Sequence, residues 1–223
     1  MSKLKALILG SLLLVPLFVF IFIYTFGEHH FSLRSYFPKL DEKGEVLRDE
    51  KGDTIFHTVP DFRLTDQSAS SFSQQQDLKD KIYVVNFFFA DCPGMCKKMS
   101  SQLVRVQDAF QNNPDIELVS ISVKPEDDSV SVLQNYAMSY KADTTQWHFL
   151  TGDRTIIYTL AQKGFNLPLQ ATGGPDGFIH SDNFMLVDKS NVVRGVYKGT
   201  KVTDVDRLIL EINVLLDEYS KSK

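Results

Sequence analysis

Basic residues are not in excess in this sequence: 24 Lys and Arg stand against 28 Asp and Glu, a net charge of -4. Phosphate binding calls for a basic face, so the balance argues against nucleic acid as a partner. Cysteine is scarce, with two in 223 residues. No internal repeat or low-complexity tract is evident. A chain of this length can bury the core of one globular domain. It therefore does not need the disulfide staples of very small secreted scaffolds.

Charge is missing altogether from "ALILGSLLLVPLFVFIFIYTFG", residues 6–27, which follows Lys3 and Lys5. About 20 apolar residues span a bilayer core. A signal peptide has a shorter apolar region and a small-residue cleavage site, and the run ends instead in "IYTFGEHHF". The reading is an uncleaved, single-pass transmembrane anchor. Pro16 is tolerable in such a helix, and Tyr24 suits the interface. Two lysines before the span and Glu28 after it place the N-terminus in the cytoplasm. The remaining chain is then extracytoplasmic, where thiols can be oxidised.

Three regions follow: residues 1–27 as cytoplasmic stub and anchor, 28–53 as a polar juxtamembrane tether with a short hairpin, and 54–223 as the compact domain. Within the domain, "IFHTVPDFRLTD" reads as a first strand, with Pro60 marking an edge or turn. "IYVVNFFFA" (82–90) and "IELVSISV" (116–123) read as strands buried on both faces. "CKKMSSQLVRVQDAF" places Met99, Leu103, Val106 and Phe110 at helical spacing. "DDSVSVLQNYAMSY" is a helix with Val132, Leu133, Tyr136 and Met138 apolar. "TGDRTIIYTLAQKGF" is a third helix that stops at Gly164. "DNFMLVDKSNVVRGVYKG" is a hairpin turning near Lys189–Asn191. "TDVDRLILEINVLLDEY" is an amphipathic last helix capped by Thr203 or Asp204. This order is α/β and thioredoxin-like, a central sheet covered on both faces. Ligand sites in such sheets lie beyond the strand C-termini.

Both cysteines, Cys92 and Cys96, fall at such a place, in "VVNFFFADCPGMCKKMSSQL". Pro93 suits a first helical position, which sets Cys92 at a helix entrance where a thiolate is favoured. Residues four apart on a helix lie about 5–6 Å from each other. That spacing suits two thiolates on one soft metal ion and is also within disulfide range. Three readings stay open: a structural disulfide, a thiol–disulfide oxidoreductase, and a metal site with a further ligand. Soft thiolates and imidazole both suit copper.

A further ligand has to come from the histidines. His29 and His30 lie beside the membrane run. His57 lies on the first strand. His148, in "QWHFLTGD", sits between aromatics at a strand position and reads as a satisfied core histidine. His180 follows the Gly-rich "ATGGPDGFI", a long loop of the kind that carries function. It also immediately precedes the hairpin. Asp91 and Asp182 are carboxylates close in sequence to the cysteines and to His180.

These segments together resemble the Sco/SenC family of membrane-anchored, thioredoxin-like copper proteins, over most of residues 54–220 and the anchor. "FFFADCPGMC" resembles the family's C-P-x-x-C motif. "ISVKPEDDSVSVLQNYAMSY" is similar to its strand–acidic loop–helix segment, usually D-P-x-x-D-T. "WHFLTGD" is similar to W-x-x-L-T-G, and "IHSDNFMLVDKSNVVRG" to its H-S segment and hairpin. The resemblance implies a copper site, Cu(I) or Cu(II), made by Cys92, Cys96 and His180. It also implies a metallochaperone of a bacterial cytoplasmic membrane that serves the CuA-bearing subunit of cytochrome c oxidase, or reduces its thiols. The alternative is a thiol–disulfide oxidoreductase acting on other extracytoplasmic client cysteines, with Cys92 and Cys96 catalytic. The chain departs from the family pattern at Lys97 and Lys98, where a second proline is common, and at Lys124, where aspartate is common.

Overall fold

The β-branched and aromatic runs at Ile82–Phe88 and Ile116–Ser122 form the two central strands, with every residue buried. The computed structural model describes Leu12 and residues 14–22, 32–168 and 181–221. Strands β1 (Arg63–Asp66), β2 (Ser71–Ser73), β3 (Ile82–Phe88), β4 (Ile116–Ser122), β5 (Trp147–Thr151), β6 (Asn183–Val187) and β7 (Val193–Lys198) make one sheet. Their order is β2-β1-β5-β4-β3-β6-β7. β3, β4 and β5 are parallel, in a register that pairs Ile82 with Ile116 and Phe88 with Ser122. The other pairs are antiparallel.

The helices are α1 (Gln74–Asp77), α2 (Met95–Ala109), α3 (Val130–Ser139), α4 (Arg154–Thr159) and α5 (Val202–Lys221). Alternate strand residues face opposite sides. On one side Val84, Leu118 and Phe149 pack with Leu103 of α2, Leu133 of α3 and Leu208 of α5. On the other, Val85, Val119 and Leu150 pack with Ile157 of α4 and with Phe62 and Phe165. The sheet is thus covered on both faces, as the α/β reading expects.

Local differences have local causes. In α3, Leu133, Tyr136 and Ala137 are buried while Met138 is 62% exposed. Residues 133, 136 and 137 share one helical face, and 138 is turned away from it. α5 starts at Val202, and Asp204 does not cap it: its carboxylate accepts from the Lys198 N–H at 2.8 Å. α4 runs into a π turn over Leu160–Gly164. There a side chain at Gly164 would meet Leu160 at 2.9 Å and Pro60 at 3.2 Å. β2 and α1, too short to show a period, were not foreseen.

The sequence does hold a short repeat. D-E-K-G occurs at 41–44 and again at 49–52, eight residues apart. In each copy the aspartate accepts two backbone N–H groups: Asp41 from Lys43 and Glu45, Asp49 from Lys51 and Asp53. Gly44 and Gly52 take φ of +81° and +86°, which favours glycine. Three backbone bonds then close a ring: Lys39 N–H to Ile55 O, Ile55 N–H to Leu47 O, and Leu47 N–H to Lys39 O. The stretch read as tether is therefore hydrogen-bonded from residue 37 to 57. The compact unit that contains it begins at Leu33 rather than near Thr54.

Met1–Ser32 is another unit. Within it, Leu12 and residues 14–22 are helical, with their side chains exposed. Among the described residues no helix is long and apolar enough to cross a membrane. Most of the expected anchor lies outside those residues.

Arg194 of β7 joins the start of the unit to its end. Its guanidinium lies 3.0 Å from Asp188 and 3.1 Å from Glu218, and donates to the Leu33 and Arg34 carbonyls. Glu218 in turn accepts from the Leu33 N–H. Removing one partner of a buried ion pair leaves an uncompensated charge, at a cost of about 3–5 kcal/mol. Arg194→Ala should lower stability by about 3 kcal/mol, with Arg194→Lys intermediate. Urea unfolding at pH 7 reads this, and a loss below about 1 kcal/mol would show the network to be solvated.

Candidate metal and redox centre

β3 ends at Phe88, and the chain turns at once. The Cys92 N–H donates to the Phe89 carbonyl at 3.3 Å, closing a turn over Phe89–Cys92. The helix expected from Pro93 begins later, at Met95, with Gly94 as an N-cap that offers no side chain. The first N–H groups of a helix lack partners within it. Here the Cys92 sulfur supplies an acceptor: the Cys96 N–H donates to Sγ at 3.2 Å. Cys92 therefore stands before the helix and is bound to its first turn, rather than lying on its surface.

Both cysteines are free thiols, each 3% exposed, within the core on the α2 side of the sheet. Burial, and next the hydrogen bond with Cys92, push the Cys96 thiol up to about 12. Behind it, the Ser100 and Tyr136 hydroxyls bond at 2.9 Å, and burial raises the Tyr136 phenol well above its ordinary value. The Tyr136 ring packs on Phe88 at 4.9 Å. The pair is thus asymmetric. One sulfur accepts a helix-terminal N–H; the other is a buried thiol held in its neutral form.

The turn is held from the β4 side by Asp128, 2% exposed. Its carboxylate accepts from the Ala90 N–H at 3.1 Å and from the Ser122 hydroxyl at 2.5 Å. Burial raises its pKa, and those two hydrogen bonds oppose the rise. In the sequence Asp128 is one of three consecutive acids, after Glu126 and Asp127; only the D-P-x-x-D-T likeness sets it apart. Lys124, at the departure from that pattern, lies 4.7 Å over the Phe89 ring and 3.9 Å from Asp127.

The other candidates fall in different places. His180, His29 and His30 lie outside the described residues. His148 is on the sheet face opposite the cysteines, 3.2 Å from Glu117 and with its ring tilted against Phe72 at 4.7 Å. His57 is in the ring-closed segment, with Nε2 buried and unbonded. Asp91 is exposed beside Cys92. Asp182 has both oxygens engaged, by Lys198 at 2.6 Å and Thr200 at 3.0 Å. Burial pushes its carboxyl up, but those bonds and the Lys198 charge outweigh it, and the net shift is downward. Among the described residues no three His, Cys, Asp or Glu side chains converge as a metal site. The two sulfurs fit a soft ion but leave it a ligand short there. The tryptophan of "WHFLTG" is a core residue, with its indole N–H donated to Ser120 at 2.9 Å.

The profile of the SCO1/SenC family matches residues 50–216. A SCO1 protein homolog of Bacillus subtilis (strain 168) is 28% identical over 162 residues, 72% of this chain and 83% of that protein. The structure of BsSco is 28% identical with a TM-score of 0.61, and covers 70% of this chain and 92% of its own. It is described with a disulfide switch, as a member of the Sco family of cytochrome c oxidase assembly proteins. Bradyrhizobium japonicum ScoI, solved with copper bound, shares the fold at 21% identity and a TM-score of 0.56, over 68% of this chain and 99% of that one.

The Cys96 thiol gives a pH signature. Its folded pKa is raised, so its contribution to stability is full below about pH 9 and is lost as pH climbs toward 12. The reduced protein should therefore lose stability across that window more steeply than the Cys92–Cys96 disulfide form, which has no thiol to ionise. Urea melts of both forms at several pH values test this, and parallel curves would refute it.

Proposed function

Because the chain belongs to the SCO1/SenC family, we propose that it binds copper through Cys92, Cys96 and His180 and delivers it to the CuA-bearing subunit of cytochrome c oxidase. The observation that carries this reading is the pair of buried sulfurs at the end of β3. Ionising both against burial requires a compensating cation, and soft thiolates select Cu(I). His180 enters through the family resemblance and supplies the imidazole of an S₂N set. Cu(II) adds a water or a carboxylate; exposed Asp91 is better placed to serve than Asp182, whose oxygens are taken. The ion passes to the partner by thiolate exchange, without release to solvent. An anchor over residues 1–27 holds the domain at the outer face of the cytoplasmic membrane, which raises its effective concentration at a membrane-bound client.

The asymmetry of the thiols favours a second reading, a thiol–disulfide oxidoreductase. The Cys92 sulfur receives a helix-terminal N–H, while burial pushes the Cys96 thiol up. Cys92 would attack a client disulfide and Cys96 would resolve the mixed disulfide. One dithiol can serve both functions.

Anaerobic copper titration of the full-length protein in detergent, followed by absorption and EPR, separates them. His180→Ala should weaken Cu(II) binding by about ten-fold or more and shift or abolish the thiolate charge-transfer band, while Cu(I) is retained. Disulfide exchange should change little. Cys96→Ser should lose both properties, and the oxidised protein should bind little Cu(I). An unchanged Cu(II) spectrum in His180→Ala removes His180 from the ligand set and puts the redox reading first.

A further inference from the structure

A strand buried on both faces satisfies its backbone through its neighbours until it ends, and β3 ends two residues before Ala90. The last ladder bond at that end runs from the Val123 N–H to the Phe88 carbonyl at 2.8 Å. Beyond it, the Ala90 N–H points to no strand. It points to a side chain, the Asp128 carboxylate, at 3.1 and 3.3 Å to the two oxygens. The same carboxylate takes the hydroxyl of Ser122, the last residue of β4, and Ser122 Oγ accepts the Lys124 N–H at 3.0 Å. The Asp128 N–H donates to the Lys124 carbonyl at 2.9 Å. One buried carboxylate therefore ties the ends of β3 and β4 to the segment that leads into α3.

Ala90 is the second residue of the Phe89–Cys92 turn, so whatever fixes its N–H fixes the turn. We propose that Asp128 is a positioning residue of the dithiol: it holds the Phe89–Cys92 turn so that the Cys92 sulfur meets the Cys96 N–H. Asp128 touches neither sulfur and acts through Ala90. The inference deepens the proposed function, because it rests on the dithiol being the working site.

The consequence is entropic. Freed from Asp128, the turn gains more conformations in the reduced chain, which has no cross-link, than in the disulfide form. Disulfide formation becomes less favourable as a result. The reaction to follow is exchange with glutathione. Cys92 and Cys96 each lose a proton, the Cys92–Cys96 S–S bond forms, and the S–S bond of oxidised glutathione breaks to give two molecules of the thiol.

The test uses the full-length protein in detergent. Asp128→Ala should lower the equilibrium constant of that exchange by about ten-fold. Ser122→Ala, which removes one of the two holds on the carboxylate, should shift it less. Asp128→Asn keeps an oxygen for the Ala90 N–H and should stay within about three-fold of wild type. If Asp128→Ala fails to fold, the Ser122→Ala shift and the Asn rescue decide. A role confined to stability would lower the melting temperatures of oxidised and reduced forms alike and leave the exchange constant unchanged. That result overturns the assignment. Copper binding by wild type, measured alongside, keeps the two claims apart. No copper binding with the Asp128 effect present overturns only the copper reading; copper binding with no Asp128 effect overturns only this one.

Discussion

The seven paired positions between β3 and β4, from Ile82–Ile116 to Phe88–Ser122, constrain everything around the dithiol. Both strands are buried on both faces, so a slip of one residue would exchange the two cores. That fixed register brings Ser122 level with Phe88, and so decides where Asp128 can reach. It also fixes where β3 stops, and with it the turn that carries Cys92. The chemistry sits at the first point where the backbone leaves the ladder and side chains must take over its hydrogen bonds.

Both sulfurs are buried, but only one of them receives a helix-terminal N–H. A thiol sunk in apolar surroundings resists ionisation, and Cys96 lies among Phe88, Met99 and Tyr136. Cys92, equally buried, has a donor aimed at its sulfur. The difference arises from Gly94 at the N-cap. With no side chain to accept the orphan amide, the helix takes its acceptor from the cysteine. A serine or aspartate at that position would offer an oxygen in competition with the sulfur.

The strands were legible because their residues announce burial: Ile82–Phe88 and Ile116–Ser122 fall inside the apolar runs that mark them. So were α2 and α5, through spacings such as Met99–Leu103–Val106 and Leu208–Ile212–Leu215. What escaped was local. The helix start was placed at Pro93, where proline is at home, because a thiol acting as acceptor leaves no composition signal. The D-E-K-G turns read as solvated linker, since their order comes from backbone bonds and two positive-φ glycines rather than from apolar residues. The cysteines stood out by their place at a strand end. Asp128 did not, because a buried carboxylate and an exposed one look the same in a row of three acids.

Lys97 and Lys98 follow Cys96 in the first turn of α2, a position where helices prefer acidic residues, and that turn holds none. For the helix alone the arrangement is unfavourable by a few tenths of a kcal/mol per charge, on the order of the exposed dipole effect. Under the proposed copper function, two thiolates and one Cu(I) would carry a net negative charge, and the two exposed lysines that directly follow Cys96 would give that charge a positive surround. The same lysines offer nothing to an uncharged site, so their placement fits a dithiol that works as thiolates better than one kept as a structural pair.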